Sequence, residues 1–347
     1  MSTKQSFQLS KILGICICTV LFWSGCHAGY VVRSAYFQAE LLAYRVPIDE
    51  ALENPNLTNS ERESLQRIQS YRDYAAKRGL QTGNTYTSVA LNWPRELFNI
   101  SACRDDSFAP VTWSFPIVGE VPYLGFFRRE DAFPFLRRLQ NSPGIEVYAR
   151  HVGAYSTLGF FDDPVLPGML DRHPVSQMKV VFHELTHGTL WLPGSVRFNE
   201  SFASFVGEQL SLEYLRATAG VRAVETEEIR RQDQRKFEDV IRGVVDDLEA
   251  LYSSGQSRFI VLQEKKKLIA EIPERLVRVQ LRNPAPYLRL LSRGEWNNAR
   301  LIQFRAYHDL KPAFKRFYLK HDRNIALMLK ALESVESEEE FLRLSAR

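Results

Sequence analysis

The spacing of apolar residues divides the chain into helical and strand-like parts. Residues 30–44 carry apolar side chains at helical intervals, which predicts a first helix. A second helical pattern runs to about residue 77, and Thr58 with Glu61, or Ser60 with Glu63, offers a capping box for its start. The part of the chain that follows the extreme N-terminus is therefore predicted to begin with helices.

Between residues 85 and 158 the pattern changes to short clusters of β-branched and aromatic residues bounded by glycine and proline. These clusters predict short strands at residues 110–118, 123–127 and 145–151. One helical stretch, at about residues 129–139, interrupts them.

After Pro174 the helical spacing returns and continues to the end of the chain. Residues 222–247 are dense in charges of both signs, which predicts a solvated helix. We therefore predict the α+β class: a mostly helical protein with a small sheet, helical to about residue 84, sheet-forming over 85–160 and helical again over 161–347.

The N-terminus has the pattern of an export signal. Lys4 and Lys11 precede an apolar run at residues 12–23, and small residues lead from this run to Cys26. The run is shorter than the roughly 20 residues of a membrane-spanning helix. Residues 1–25 are thus predicted to be a signal peptide and 26–347 the exported domain, with an uncleaved signal anchor as the alternative.

The cysteine positions agree with export. Of four cysteines, Cys16 and Cys18 lie in the apolar run and Cys26 directly follows the signal, so that only Cys103 lies within the folded domain. A domain without an internal disulfide relies on its core. We expect Cys103 to be a small buried residue rather than a nucleophile.

Composition excludes several classes of protein. With 347 residues, 45% of them hydrophobic and 25% charged, the chain is neither disordered nor a multi-span membrane protein. The net charge is +4, and Lys4 and Lys11 contribute two of these charges. Because there is no basic stripe interleaved with aromatic residues, we expect no nucleic-acid partner.

The clearest chemical motif is His183, Glu184 and His187, an H-E-x-x-H pattern in an apolar stretch. Two histidines four residues apart lie on one face of a helix and can bind one zinc ion. Glu184 is turned about 100° from His183 around the helix axis and can reach a metal-activated water without being a ligand. Satisfied core histidines are the alternative.

A zinc ion of this kind needs a third protein ligand, and Glu200 is the candidate. It lies in a second apolar helical stretch, and a Pro-Gly turn at residues 193–194 would direct this stretch back toward the histidines. Asn199 is a candidate cap of the second helix. Glu208, further along the same helix, is a weaker alternative ligand.

These motifs resemble those of the gluzincin metallopeptidases, whose third zinc ligand is a glutamate in an Asn-Glu-x-x-Ala type helix, here residues 199–203. Within that group the chain is similar to a family of bacterial putative aminopeptidases predicted to be lipoproteins. The similarity extends to residues 153–159, 161–164 and 297–301, and to Tyr307. It implies a gluzincin-like fold with the zinc site between two helices.

The segment that ends at Cys26 also resembles a bacterial lipoprotein signal. This resemblance implies that Cys26 is the lipidated N-terminus. The protein would then be anchored in the bacterial cell envelope and face the periplasm. His27, rather than an acid, after this cysteine favours the outer membrane.

The implied activity is zinc-dependent peptide hydrolysis, specifically that of an aminopeptidase. In our hypothesis Glu184 takes a proton from the metal-activated water and passes it to the leaving amine. Tyr155 is the first candidate for the donor that stabilises the oxyanion, and Tyr307 and His308 are its rivals. The alternatives are a zinc endopeptidase and a non-catalytic metal-binding lipoprotein. The presence of Glu184 argues against the non-catalytic lipoprotein, because a structural zinc site does not require this residue.

Overall fold

Helices dominate the protein and surround small antiparallel sheets, as the α+β prediction requires. The computed structural model describes residues 28–115, 119–153 and 162–346. The elements of the first half are α1 (Ala28–Ala43), β1 (Val46–Pro47), α2 (Ile48–Glu53), α3 (Asn59–Lys77), β2 (Ser88–Val89), β3 (Leu97–Arg104), β4 (Trp113–Phe115), β5 (Gly119–Val121), β6 (Tyr123–Phe126), α4 (Arg129–Gln140) and β7 (Ile145–Val152).

The second half of the described chain consists of helices. They are α5 (Pro167–Leu170), α6 (Pro174–Thr189), α7 (Val196–Thr218), α8 (Gly220–Tyr252), α9 (Arg258–Ala270), α10 (Ile272–Arg278), α11 (Ala285–Ser292), α12 (Asn298–His308), α13 (Lys311–Lys320), α14 (Ile325–Leu332) and α15 (Glu338–Ala346). Among the described helices, none is both long and apolar enough to cross a membrane.

The start of α3 shows why local sequence predicts helix ends well. The Thr58 hydroxyl accepts a hydrogen bond from the Glu61 amide at 3.2 Å, and the Glu61 carboxylate accepts one from the Thr58 amide at 2.9 Å. Two backbone groups that would otherwise lack partners are satisfied by neighbours in sequence. Of the two capping boxes that the sequence offers, the first is the one formed.

The main sheet has the order β6-β3-β7, with both pairs antiparallel. Its central strand, β3, is buried from Leu97 to Cys103. A strand covered on both faces loses the alternation of apolar and polar residues, which is why the sequence pattern singled out the two outer strands but not this one.

The strand expected at residues 110–118 is only partly correct. The structure has the short strand β4 there, which pairs with β5 in a separate two-stranded sheet. Residues 116–118 lie outside the described part of the chain. Cys103 is fully buried as expected, and burial raises the pKa of its thiol to about 12.

Helices α6 and α7 form a hairpin in the largest hydrophobic cluster, together with α3, α13 and α15. The connection turns at Gly194, whose φ of +80° favours glycine. The two helices approach closely at Gly207, where a Cβ atom would lie 2.9 Å from the Lys179 carbonyl oxygen. This close contact positions α7 against the helix that carries the two histidines.

The charged segment 222–247 does form a helix, α8, but it is not simply solvated. Three of its acidic residues are buried: Glu227, Asp233 and Glu238. Each has polar partners; Asp233, for example, accepts the backbone amides of Arg282 and Asn283 at 2.9 and 2.8 Å. The alternating charges in the sequence therefore include inward-facing residues, because buried acids are stable when hydrogen-bonded.

Candidate metal centre and cleft

Helix α6 presents the two histidines of the motif side by side. The Nε2 atoms of His183 and His187 are 3.1 Å apart, and their rings are almost perpendicular, with centroids 4.7 Å apart. The His187 side chain is 4% exposed and that of His183 14%. The helical spacing of four residues thus places two imidazole nitrogens at one partly accessible point.

Glu200 reaches the same point from α7. Its Oε2 atom lies 3.2 Å from His183 Nε2 and 3.7 Å from His187 Nε2, and its side chain is 6% exposed. Ligand atoms of these three residues all lie within 4.8 Å of one another. Two imidazoles and one carboxylate form the donor set that a catalytic zinc ion uses, with one position left for water.

The local sequence holds Glu200 in place differently from the expectation. Ser195, not Asn199, caps α7; its hydroxyl accepts a hydrogen bond from the Phe198 amide. Asn199 lies inside the helix and hydrogen-bonds the backbone of Leu192 in the preceding turn through both its side-chain oxygen and nitrogen, at 2.8 Å each. The predicted cap was therefore wrong, and Asn199 instead fixes the turn to the helix.

The electrostatics of the three residues suit a bound cation. Burial opposes the ionisation of Glu200, but the neighbouring rings of His187 and His183 outweigh it and hold the pKa of the carboxyl well below its ordinary value. Burial alone would lower the pKa of His187, but the Glu200 carboxylate outweighs it and raises that pKa. A carboxylate anion thus faces the two imidazoles.

Unsatisfied buried atoms at the same point support this fit. Glu200 Oε1 accepts a hydrogen bond from the Tyr123 hydroxyl at 3.3 Å, whereas Oε2 has no hydrogen bond of good geometry among the described residues. Because an unpaired buried oxygen costs stability, such an atom calls for a further partner. A divalent cation between Oε2 and the two Nε2 atoms would supply it.

A cleft of about 200 Å³ opens onto these residues. Its floor is α6 and α7, and the three-stranded sheet, the first helix and α12 form its other walls. The lining side chains from the walls are Tyr30, Ser34, Leu97, Phe98, Asn99, Tyr123, Phe126, Phe127, Arg150, Val152 and Tyr307. Glu184 also lines it, half-buried and outside the group of three that could hold a metal ion.

Tyr307 belongs to this cleft, and sequence reasoning had named it a rival donor. Its ring stacks on that of His183, with centroids 5.8 Å apart and an interplanar angle of 15°. Its hydroxyl oxygen accepts a hydrogen bond from Arg150 Nη2 at 2.9 Å. Burial and the nearby Glu200 carboxylate raise the pKa of Tyr307, so that the hydroxyl remains protonated at neutral pH.

Arg150 is a site residue that sequence reasoning missed. Its buried Nε atom has no hydrogen-bond partner among the described residues. Burial opposes its charge, but Tyr307 and Glu200 outweigh burial and raise its pKa. No alternation in the sequence identified it, because the apolar residues Ile145, Val147 and Ala149 occupy the opposite positions of β7. In the structure Ala149 and His151 are exposed, and Arg150 lies between them on the inner face.

The other candidate residues lie elsewhere. His308 turns away from the cleft and lies 3.0 Å from the Glu238 carboxylate. Glu208, the alternative ligand, is 2.5 Å from Lys311 Nζ and is absent from the group that could hold a metal among the described residues. Tyr155 and Cys26 lie outside the described residues.

Comparison with known protein families gives a match over most of the chain. A family model described as "Putative aminopeptidase" matches residues 29–345, which is almost the whole described chain. No curated protein and no solved structure matches the sequence.

Proposed function

The chain belongs to the family of putative aminopeptidases, and on that premise we propose that it hydrolyses peptides with a zinc ion held by His183, His187 and Glu200. The observation that supports this proposal most directly is the convergence of two imidazole nitrogens and one carboxylate oxygen at the floor of an open cleft. Glu184 lies in that cleft beside the three, where a general base is needed.

In this proposal the metal supplies Lewis acidity, which polarises a peptide carbonyl and makes water more acidic. Glu184 removes a proton from the attacking water and later delivers it to the leaving amine. Its place next to His183 in the helix lets it approach the reacting atoms without occupying a ligand position.

Tyr307 is the donor that we assign to the developing oxyanion. Arg150 carries only donors, so that in their hydrogen bond the tyrosine oxygen is the acceptor. The tyrosine proton is therefore free to point into the cleft, where a preorganised donor stabilises negative charge. Arg150 positions this hydroxyl and adds positive charge. Tyr155 stays a predicted rival, since it lies outside the described residues.

The experiment that tests the function combines metal analysis with one conservative substitution. We expect the purified chain to bind one zinc ion and to cleave members of a mixed peptide library. Glu184→Gln should retain the metal but lose roughly 10²- to 10⁴-fold in hydrolysis, the usual contribution of a general base. Glu264→Gln, at an exposed glutamate of α9, is the matched control.

The products distinguish the alternatives. End-group analysis that finds single residues released from the N-terminus supports the aminopeptidase, and internal cuts support an endopeptidase. If the wild-type chain binds metal but cleaves no peptide, the non-catalytic lipoprotein is the correct alternative.

We further propose that residues 1–25 are a signal peptide and that a lipid on Cys26 anchors the protein in the bacterial envelope, facing the periplasm. The support is the sequence alone: a basic start, an apolar run and small residues before Cys26. Cys26→Ala should release the protein from the membrane fraction. Retention of the variant would contradict the anchor, and fractionation of inner and outer membranes would test the proposed outer-membrane location.

A further inference from the structure

The outer edge of β6 is engaged by a side chain from the first helix. The Tyr30 hydroxyl donates a hydrogen bond to the Gly125 carbonyl oxygen at 2.8 Å and accepts one from the Gly125 amide at 3.1 Å. Both backbone groups of Gly125 therefore point away from the partner strand β3, at a position where the register opposes Gly125 to Asn99. One hydroxyl satisfies the two groups that a neighbouring strand would otherwise pair with.

This contact lies at the wall of the cleft. Tyr30, Gly125 and Tyr123 all line it, and Tyr123 reaches Glu200 at 3.3 Å. Gly125 follows Tyr123 by two residues, so that both face the same side of the sheet. A Cβ atom at Gly125 would meet nothing within 4 Å, which leaves open space there for part of a substrate.

The direction of the strand tells which end of a substrate would meet Tyr30. An extended peptide that pairs antiparallel with β6 places its C-terminal side near Tyr123 and its N-terminal side near Phe126. The reacting bond must lie by Glu200, and therefore by Tyr123. Residues on the N-terminal side of that bond would then lie along Gly125, about 7 Å away at the rise of a strand.

We infer that Tyr30 closes the cleft on the N-terminal side of the cleaved bond, so that a peptide fits when its chain begins near Gly125 and is excluded when it continues. This inference rests on the proposed peptidase function and deepens it. It makes the first helix a determinant of exopeptidase specificity, since the helix rather than the metal site limits the length of substrate that fits.

The helix is held firmly enough to act as a wall. The Tyr30 ring packs on Phe126 and Phe115, with centroids 5.6 and 5.8 Å away. Arg33 forms an ion pair with Asp131 of α4. Further along α1, Glu40 accepts two hydrogen bonds from Arg95, at 2.9 and 2.8 Å.

The test compares two peptides that share one scissile bond. One begins one residue before that bond, and the other carries three additional residues at its N-terminus. For the full chain loaded with zinc, Tyr30→Ala should raise the ratio of kcat/KM for the long peptide over the short one by about tenfold or more, the value of one or two recovered backbone hydrogen bonds. Tyr30→Phe, which keeps the ring but frees the Gly125 backbone, should raise it by about threefold.

The control variant is Tyr36→Ala, because Tyr36 lies on the same helix and is 63% exposed. It should leave the ratio unchanged. If Tyr30→Ala proves too unstable to measure, Tyr30→Phe decides the question by itself. A folded Tyr30 variant with the wild-type ratio would overturn the inference.

A binding measurement separates this inference from the proposed function. The affinity of metal-free protein for the long peptide, labelled with a fluorophore and followed by anisotropy, should increase about tenfold in Tyr30→Ala. If the wild-type chain cleaves nothing but this affinity rises as expected, the peptidase proposal fails while the role of Tyr30 stands. If cleavage occurs but neither the ratio nor the affinity changes, the role of Tyr30 fails alone.

Discussion

Helix α7 places two glutamates in opposite chemical surroundings. Glu200 faces two imidazoles in an open cleft. Glu208, two turns later, contacts Lys311 at 2.5 Å and Arg231 at 3.6 Å. The first carboxylate has partners that can give up their protons near neutral pH, whereas the second has partners that cannot.

Helix α12 likewise places two neighbouring residues in different surroundings. Tyr307 stacks on His183 in the cleft, while the next residue, His308, lies 3.0 Å from Glu238. Glu238 in turn contacts Lys311 at 3.1 Å. We call the five residues of this second group the ion-pair cluster: Glu208, Arg231, Glu238, His308 and Lys311.

The comparison teaches that burial of acids and histidines does not itself make a metal site. In the ion-pair cluster, fixed cations already neutralise the two acids; burial opposes the ionisation of Glu208, but Lys311 outweighs it and lowers the Glu208 pKa. At Glu200 the neutralising groups are histidines, which can exchange a proton for a divalent cation. A metal therefore has a place in one site and none in the other.

The largest expected effect is on zinc affinity and comes from the two glutamates of α7. Glu200→Gln should weaken zinc binding by more than roughly 100-fold, because even groups outside the ligand set change affinity 10- to 100-fold. Glu208→Gln should leave the affinity within about twofold. Competition with a chelator measures the zinc affinity of both variants. Equal losses of affinity would contradict the assignment of Glu200 to the metal site and of Glu208 to the ion-pair cluster.

The next effect concerns rate and uses the two neighbours on α12. Tyr307→Phe should lower kcat by about 10²-fold with zinc content unchanged, the cost of removing one oxyanion donor. His308→Gln should keep kcat within about threefold. A steady-state assay measures kcat for both variants. If His308→Gln lowers kcat about 10²-fold and Tyr307→Phe does not, the assignment of Tyr307 is wrong.

A smaller effect is expected on stability. Glu208→Gln should lower the free energy of unfolding by about 2 kcal/mol, less than the 3–5 kcal/mol of a fully buried pair, because the Glu208 side chain is 23% exposed. Urea denaturation of the metal-free proteins measures this, with Glu264→Gln as the control. If the variant is as stable as the wild type, solvation of the two groups would replace the free energy of the Glu208–Lys311 ion pair.

The smallest effect is a change in pH dependence. Lys311 and the other cations of the cluster hold the folded-state pKa of Glu208 below its unfolded value of about 4.3. This stabilisation is present above that value and is lost as the pH falls through the folded-state pKa. Between pH 6 and pH 4 the unfolding free energy of metal-free Glu208→Gln should thus fall by up to about 0.6 kcal/mol less than that of the wild type. Parallel curves for the two proteins would contradict this assignment.

Local patterns were sufficient for much of the helical structure. The first helix, the Thr58 capping box and the helix of residues 129–139 are present with ends close to those expected. Such features depend on neighbours three or four residues apart, so the sequence records them directly. The same rule places His183 and His187 on one face of α6.

Patterns failed where a residue's partner lies outside its own helix or strand. Asparagine is a residue type typical of helix caps, but Asn199 hydrogen-bonds the preceding turn. The buried strand β3 shows no alternation of apolar and polar residues. Arg150 looked like an ordinary strand residue because its partner, Tyr307, is 157 positions away. None of these contacts leaves a periodic signal.

By itself the sequence determined the paired imidazoles, the adjacent Glu184 and the candidate third ligand, since helical spacing and one short turn specify them. Only the tertiary structure decided which glutamate of α7 faces the histidines, which of Tyr307 and His308 enters the cleft, and that Tyr30 bonds Gly125, 95 residues away. The physical reason is that these choices depend on packing between elements. A shift of one residue on α12, or of two turns on α7, moves a side chain from the open cleft into the ion-pair cluster.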